Sequence, residues 1–474
     1  MIDNGASPNR ARAQRRLLVA GAFATVIFLG LTFKGTVEGD GVGYYSYLHS
    51  VIVDHDLDFA NEYAAARSAG IFVYPVYETT RTSTGKLANF YPVGPAVLSA
   101  PFYLVALAFN PTGAPIFGRP FMLAYTLGSL FFGLLALAIC YRITRSVLVT
   151  FAVAATTPFI FYLVYSPSYS HTFSAFAACL FVWAWIRGRG PLLLGFLGGL
   201  MALVRPQDGL LLGVVLLDIG RLRWRVLLLI PGALLAFAPQ LAVDRILYGT
   251  WQPMGPPEGF DIWPGHYWQV LLSITRGLFV WQPATLLAVC GYAFVRSWRL
   301  RIAMLYSLAV ETAINGAVGD WPAGYSFGGR RFLDLLPYFA IGLAALLPRL
   351  RPALGWAVTG ILAAWNYLLI ANLTYIILDH AADPGSLLWT GQLPALLKLP
   401  RLFVQGYPVR AIFLGQVVHQ SRDLIGGLVT LGVIGGAVCA ALLLAIRTGP
   451  PPNPFRTSQS GEPAAAHSSP PGAG

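Results

Sequence analysis

The stretch from Glu38 to Asp58 contains the side chains best suited to chemistry. It reads EGDGVGYYSYLHSVIVDHDLD, in which acids are interleaved with glycines and tyrosines. The carboxylate of Asp40 can take a proton from an attacking hydroxyl, and the two following glycines let the backbone approach a ligand closely. Tyr44 and Tyr45 offer aromatic faces that suit sugar rings. The alternative is that Asp40 is a solvated acid at the end of a helix.

Asp54, Asp56 and Asp58 stand at alternate positions, from which oxygen ligands can converge on a hard cation. No glycine turn and no distal bidentate glutamate completes a calcium loop here. We therefore interpret the run as a polar turn after a short helix. The sequence predicts no metal ligand, and it leaves the metal requirement open.

Arg205 and Asp208 interrupt a hydrophobic hairpin in the sequence LVRPQDG. A charge at the edge of a membrane segment is costly and is by default a candidate site. A guanidinium binds phosphate through paired donors, so Arg205 is suited to hold the phosphate of a lipid-linked substrate. An ion pair with Asp208 is the structural alternative.

Residues 319–332, GDWPAGYSFGGRRF, are rich in glycine, aromatic and arginine residues. Arg330 and Arg331 fall on the external side, opposite to the side that basic residues prefer. An anionic partner is therefore expected there. A phosphate or pyrophosphate is the favoured partner, and an ion pair with Asp320 or Asp334 is the alternative.

Three further polar residues stand in or beside apolar segments. His171, in SPSYSHTFSAF, is a candidate substrate-binding residue on the external side, although a hydrogen-bonded structural histidine is the commoner outcome. Glu311 and Asn315 are one helical turn apart. They either reach a cavity or bond to neighbouring helices.

Composition identifies the elements that must position these residues. The 474-residue chain is 56% hydrophobic and 11% charged, where soluble domains average about 25% charged, so we predict an integral membrane protein. Its net charge of +12 comes from short scattered clusters, which act as topology signals and not as a nucleic-acid surface. Apolar segments are predicted at residues 17–33, 93–109, 121–141, 147–165, 171–186, 191–204, 209–219, 226–247, 277–295, 302–318, 332–348, 352–378 and 424–446.

These segments predict an all-α, polytopic transmembrane bundle of about 12–13 segments. Segment 93–109 is short and bounded by prolines, and leaving it out of the crossings places the basic clusters and both termini in the cytoplasm. Residues 1–16 are then a basic cytoplasmic start, 17–447 the membrane domain and 448–474 a disordered tail. Residues 34–92 form a long external loop, in which 44–53 is predicted as an amphipathic interfacial helix.

The loop acid with its tyrosines, the re-entry YPVGPAVLSAPFY, and the elements LYGTWQPMG and GYSFGGRRFLDLLP together resemble the GT-C class of membrane glycosyltransferases. That class includes protein O-mannosyltransferases and lipid A aminoarabinose transferases. The resemblance covers roughly residues 17–378. In protein O-mannosyltransferases the loop acid is followed by Glu, whereas here Gly41 follows Asp40 and Glu38 precedes it.

The resemblance implies an inverting enzyme that moves a monosaccharide from a polyprenyl-phosphate carrier to a lipid, glycan or protein acceptor. Catalysis would occur on the external face of a bacterial-type inner membrane, without a bound cofactor. Asp40 would be the general base, while Arg205 and Arg331 would hold the phosphate. Two alternatives remain: a ligase or polymerase that uses a pyrophosphate-linked glycan, with Arg401, Arg410 and His419 in the loop 379–423, and a transporter of lipid-linked sugar.

Overall fold

The structure, a computed structural model, describes residues 33–110, 114–252, 258–324 and 326–371, together with positions 373, 388, 397, 435, 436, 438 and 439. These residues form an all-helical fold, with isolated β-bridges that join Arg81 to Leu87 and Phe260 to Val318. Most of the first predicted segment, both predicted terminal regions, and nearly all of the loop 379–423 and of segment 424–446 lie outside the described residues.

Seventeen α-helices follow one another in this part of the chain. They are α1 (Gly41–His49), α2 (Ala60–Ser68), α3 (Pro75–Thr79), α4 (Gly94–Phe109), α5 (Arg119–Thr144), α6 (Val147–Thr156), α7 (Phe159–Val164), α8 (His171–Ile186), α9 (Pro191–Val204), α10 (Ile219–Leu222), α11 (Leu229–Tyr248), α12 (Gln269–Leu272), α13 (Leu278–Trp281), α14 (Pro283–Tyr292), α15 (Trp298–Ala317), α16 (Leu336–Leu346) and α17 (Pro352–Ala371). A π-helical turn spans Ser50–Asp54, and 3₁₀ segments span Pro206–Asp218, Arg223–Leu228, Arg330–Leu335 and Leu347–Arg349.

Within the described part of the chain, four helical stretches are long and apolar enough to cross a membrane: Arg119–Thr144, Pro206–Tyr248, Arg330–Arg349 and Pro352–Ile370. Five shorter apolar helices accompany them, namely α4, α6, α8, α9 and α14. These stretches indicate a membrane protein, while the number of crossings stays a prediction. Helix α4, which occupies the segment predicted not to cross, has 16 residues and rises about 24 Å, less than the roughly 30 Å of a bilayer core.

The chain between residues 34 and 92 folds into α1, α2 and α3 on an apolar cluster that it shares with the later helices. The cluster joins Tyr47 and Phe59 of this part of the chain to Tyr103 of α4, Tyr125 of α5 and Tyr248 of α11.

The predicted interfacial amphipathic helix over 44–53 corresponds to the end of α1 and the π-helical turn, in which Val51 and Val53 are exposed, and its place at a membrane interface stays a prediction. Helix α1 itself is buried from Gly41 to Leu48, and its tyrosine hydroxyls donate hydrogen bonds to acceptors inside the protein.

Glycines allow the closest helix pairs to touch backbone to backbone. On α9, a Cβ at Gly195 would lie 2.2 Å from the Leu229 carbonyl oxygen, and one at Gly199 would lie 2.3 Å from that of Ala233 on α11. Small residues four apart are the usual means by which membrane helices approach closely. The pair α9–α11 places the Arg205 turn, which follows α9, beside the other elements of the site.

Candidate active site

Asp40 lies directly before α1 and is held by two side chains from distant parts of the chain. Its Oδ1 accepts a hydrogen bond from the Tyr91 hydroxyl at 3.1 Å. Its Oδ2 lies 3.0 Å from Nη1 of Arg330, and both side chains of this ion pair are mostly buried, with 16% and 11% of their surfaces exposed. The guanidinium of Arg330 also lies over the ring of Tyr169, 5.2 Å from its centroid.

The glycines around Asp40 serve the packing of the protein itself. A Cβ at Gly43 would lie 2.1 Å from the Tyr91 ring, and Gly39, with φ of +54°, would place a Cβ 2.3 Å from the Tyr169 hydroxyl. The backbone at these glycines was expected to lie close to a ligand. In the structure Gly43 lies close to Tyr91 and Gly39 to Tyr169, the two tyrosines that contact Asp40 and Arg330.

The predicted substrate-binding residues of the first loop fall into different environments. Tyr44 faces the site, and its hydroxyl donates a hydrogen bond to Ser170 at 3.0 Å. Burial and the charge of Asp40 raise the pKa of Tyr44 to about 12. Tyr45 points into the apolar cluster, where its hydroxyl donates to the Ile116 carbonyl oxygen; because it is fully buried there, its proposed role as a sugar platform does not fit.

Glu38 stands apart from the ion pair of Asp40. Its carboxylate lies 2.6 Å from Nζ of Lys34 and is about two-fifths exposed. The Ser168 hydroxyl donates a hydrogen bond to the Glu38 carbonyl oxygen at 3.2 Å. Glu38 therefore has a separate basic partner, and Asp40 is the acid enclosed by aromatic and arginine side chains.

The three predicted phosphate-binding arginines lie close together. Nη1 of Arg205 donates a hydrogen bond to the Arg331 carbonyl oxygen at 3.1 Å. The structural alternatives also occur, since Nε of Arg205 lies 4.0 Å from Asp208 and Nη2 of Arg331 lies 3.6 Å from Asp320. The side chain of Arg331 thus pairs with the partly exposed carboxylate of Asp320, and its backbone carbonyl oxygen binds Arg205. The neighbouring Arg330 pairs with Asp40.

Buried donors without a protein partner remain on these arginines. Among the described residues, Nε of Arg330 and Nη1 of Arg331 have no hydrogen-bond partner. Both residues line a pocket together with Asn315, Trp321 and the Gly328–Gly329 turn. An N–H group that is buried without an acceptor is costly, and an anion in this pocket would supply acceptors for both.

His171 begins α8 and is buried against the rings of Tyr162 and Tyr169, with centroids at 4.5 and 6.2 Å. Among the described residues, its Nδ1 has no hydrogen-bond partner. The structure brings His171 to the same ring of Tyr169 that covers Arg330. The sequence favoured a hydrogen-bonded structural histidine, whereas His171 packs between rings, and its role in substrate binding stays a prediction.

Tyr91 is the site residue that the sequence analysis missed, because it was considered only as part of the membrane re-entry NFYPVGP. Burial and the charge of Asp40 raise its pKa well above the usual value, so the phenol remains a neutral donor towards the carboxylate. Its hydroxyl in turn accepts a hydrogen bond from Tyr77. The abundance of tyrosine in loop 34–92 was the available signal.

Three buried carboxyls form a second group that the sequence did not assemble. Asp208, Glu311 and Asp334 each present an oxygen within 4.8 Å of the others, and all three residues are buried. Asp208 and Glu311 were noted singly, and Asp334 only as a possible partner of the arginines. The amide of Asn315 donates a hydrogen bond to Glu311 at 3.1 Å. Asn315 also lines the pocket that Arg331 lines, so this group of carboxyls adjoins that pocket.

The run Asp54–Asp58 makes local bonds of the kind expected for a polar turn. Asp54 accepts a hydrogen bond from Asn61 at 2.8 Å. Asp56 accepts bonds from Ser50 and from the backbone N–H of Asp58. His55, with φ of +59°, turns the chain at this point, so the acids terminate the first helical segment.

No protein-family model, curated protein or solved structure matches the chain. The resemblance to GT-C glycosyltransferases therefore carries only proposals about function.

Proposed function

We propose that this protein is an inverting glycosyltransferase that moves a monosaccharide from a polyprenyl-phosphate carrier to a lipid, glycan or protein hydroxyl. The observation that carries the proposal is that Arg330, which pairs with Asp40, and Arg331 both line one pocket and both keep a buried donor without a partner among the described residues. A carboxylate for the acceptor and donors for a phosphate thus adjoin one another. The resemblance of the surrounding sequence supplies the reaction.

Asp40 acts as the general base in this proposal. The acceptor hydroxyl gives its proton to the Asp40 carboxylate while its oxygen bonds to the anomeric carbon. The bond from that carbon to the phosphate oxygen breaks, and the electron pair leaves on the carrier phosphate. Tyr91 and Arg330 fix the direction of the carboxylate through the contacts at 3.1 and 3.0 Å.

Arg331 and Arg205, with the remaining donors of Arg330, stabilise the negative charge on the departing phosphate. Guanidinium groups bind phosphate oxygens through parallel N–H donors, and such donors act most strongly where water is excluded. The buried positions of these arginines fit that requirement. We place the site on the external face of a bacterial-type inner membrane, as the positions of the basic clusters in the sequence suggest.

The test compares Asp40→Asn with Glu38→Gln in a transfer assay with radiolabelled polyprenyl-phosphate sugars. We expect Asp40→Asn to lose a factor of about 10²–10⁴ in turnover, the usual contribution of a general base. Glu38→Gln, whose carboxylate is paired with Lys34, should retain most of the activity. Both variants must elute as monodisperse protein from size-exclusion chromatography.

Wild-type turnover by Asp40→Asn would contradict the role of Asp40. If Glu38→Gln were the inactive variant instead, the base would be Glu38. If the wild-type protein transferred no sugar from any polyprenyl-phosphate donor, the proposed glycosyltransferase activity would be refuted.

A transporter of lipid-linked sugar is the second candidate, because the carboxyls of Asp208, Glu311 and Asp334 are buried within helical segments. Ionisable groups inside a membrane frequently mark transport pathways. Proteoliposomes loaded with labelled polyprenyl-phosphate sugar distinguish the two: movement between leaflets without a glycosylated product favours the transporter. The ligase alternative rests on the loop 379–423, which lies almost wholly outside the described residues.

A further inference from the structure

The buried carboxyls of Asp208, Glu311 and Asp334, called the acidic triad below, come from three separate helical segments. Asp208 lies in the first turn of the 3₁₀ segment Pro206–Asp218, and Asp334 lies in the 3₁₀ segment Arg330–Leu335. Glu311 lies in the second half of α15. Each residue is fully buried, so the triad is an interior feature and not a solvated acidic surface.

The hydrogen bonds to the triad leave half or more of each carboxylate unpartnered. Ser174 donates to Oδ2 of Asp208 at 2.8 Å, and Asn315 donates to Oε2 of Glu311 at 3.1 Å. Oδ1 of Asp208, Oε1 of Glu311 and both oxygens of Asp334 have no hydrogen-bond partner within the described part of the chain. Asp334 thus faces the other two carboxyls with no donor to satisfy it.

Positive charge beside the triad is sparse among the described residues. The ion pair of the triad joins Oδ1 of Asp208 to Nε of Arg205, at the long distance of 4.0 Å. When all three carboxyls are ionised, as metal ligands must be, they carry an excess of two negative charges beside one guanidinium, and isolated buried charges are very costly. A single divalent cation would remove that excess.

The geometry points to a binding site for one hard divalent cation, of the Mg²⁺, Mn²⁺ or Ca²⁺ class, on the acidic triad. Bonds between such cations and oxygen are about 2.0–2.6 Å long, so two ligand oxygens on opposite sides of one ion lie up to about 5 Å apart. The separation of at most 4.8 Å within the triad is within that reach. An all-carboxylate ligand set favours hard cations over zinc or copper.

A bound cation would connect the turn that contains Arg205 with the turn that contains Arg331. Asp208 follows Arg205 by three residues, and Asp334 follows Arg331 by three residues. The ion would therefore hold these turns against α15 at one point. This positioning role concerns the protein alone and holds whether or not the proposed sugar transfer occurs.

The direct test measures Mn²⁺ binding by the full-length protein in lipid nanodiscs, after removal of metals with EDTA. Equilibrium dialysis followed by elemental analysis should give one saturable Mn²⁺ per chain. The electron paramagnetic resonance spectrum should broaden on binding. We expect Asp334→Asn and Glu311→Gln each to weaken binding at least tenfold.

Asp244→Asn is the matched control, because Asp244 is another fully buried carboxyl but accepts its hydrogen bond from Gln240 on α11. It should bind Mn²⁺ like the wild type. If wild-type protein that elutes as a folded monodisperse species binds no Mn²⁺ at millimolar concentration, the site is refuted. Binding that is unchanged in Asp334→Asn and Glu311→Gln would also refute it, since the ion would then occupy another place.

Stability provides a second measurement that does not depend on the yield of the variants. Saturating Mn²⁺ should raise the apparent melting temperature of the wild type, because a ligand that binds only the folded state stabilises it. The same addition should raise the melting temperature of Asp334→Asn by less, because that variant binds the ion more weakly. An equal increase in both proteins would overturn the assignment.

Discussion

At the scale of single residues, Glu62 shows how the compact first loop changes the behaviour of an acid. The residue lies in α2, and its side chain is fully buried although it belongs to a polar stretch of sequence. Burial, and then the nearby charge of Asp54, raise the pKa of Glu62 to about 8, from a usual value of 4.5. The neutral acid is therefore the form that fits the folded loop.

This shift predicts a stability that falls as the pH rises. Between about pH 4.5 and 8 the unfolded chain releases the Glu62 proton while the folded protein retains it, so the free energy of unfolding decreases with pH. The effect is complete above about pH 8 and amounts to the order of a few kcal/mol. Glu62→Gln, which stays neutral, should show a flatter profile of melting temperature between pH 5 and 9.

The control for this measurement is Glu78→Gln, because Glu78 belongs to the same loop but is only partly buried and pairs with the exposed Arg67. Its profile should keep the slope of the wild type. If Glu62→Gln and the wild type lose stability in parallel across this pH range, the neutral buried form of Glu62 is refuted.

The sequence identified Asp40 and the three arginines because charged residues at the edge of an apolar segment are conspicuous without any structure. It could not identify their partners. Tyr91 reaches Asp40 from 51 residues away, and the acidic triad joins Asp208 to two residues that follow it by more than a hundred positions. Such contacts depend on how helices pack, which a local pattern of residue types does not encode.

At the scale of elements, the pair α9–α11 depends on glycines whose environments the sequence did not reveal. Gly195 and Gly199 are four residues apart on α9, and each lies against a backbone carbonyl of α11. Gly360, on α17, has no atom of the described residues within 4 Å of an added Cβ. The same residue type therefore has opposite consequences in two helices.

Alanine substitutions should separate these two environments. In Gly199→Ala the new methyl group overlaps the Ala233 carbonyl, so the helices must move apart and the protein loses about 1–3 kcal/mol, as is typical of overpacking. In Gly360→Ala the helix gains up to about 1 kcal/mol from the better propensity of alanine. Thermal unfolding of the two variants in the same detergent should therefore shift in opposite directions.

A Gly199→Ala protein as stable as the wild type would contradict the close contact between α9 and α11. The companion substitution Gly220→Ala, also without neighbours within 4 Å, checks that an added methyl group is not harmful in itself.

The positions of apolar segments were predictable, but their internal breaks were only partly so. The predicted segment 147–165 is divided into α6 and α7 around Pro158, as a proline that lacks an N–H would suggest. The predicted segment 209–219 lies largely in a 3₁₀ segment over Pro206–Asp218, which no pattern of residue types indicated. This segment begins directly after Arg205, and its first turn places the Asp208 carboxyl next to those of Glu311 and Asp334.

At the scale of the whole molecule, α8 connects two charged regions with different chemistry. His171 at its start belongs to the aromatic wall of the candidate site. Near its end, Nε1 of Trp185 donates a hydrogen bond to Asp218 at 2.8 Å, and Asp218 also pairs with Arg221 and Arg299. Because α8 has 16 residues, the two regions are about 24 Å apart, somewhat less than the roughly 30 Å of a membrane core.

This separation predicts that loop 34–92 and the chain after α11 face one side of the membrane. Ser83 and Thr84 donate hydrogen bonds to the carbonyl oxygens of Tyr248 and Leu247, so both segments lie at the same end of the molecule. The turn between α8 and α9 lies at the other end, near Asp218. We therefore expect the candidate site to open to the external side, and the basic turns around Arg187 and Arg221 to face the cytoplasm.

Single cysteines test this arrangement in a background where Cys140, Cys179, Cys290 and Cys439 are replaced by serine. Ser68→Cys and Gln252→Cys, both at exposed positions, should react with a membrane-impermeant maleimide in intact cells. Gly190→Cys, which is exposed in the turn between α8 and α9, should react only after permeabilisation. If only Gly190→Cys reacted in intact cells, the protein would have the opposite orientation in the membrane. If the Ser68 and Gln252 variants reacted differently from each other, the two segments would not face the same side of the membrane.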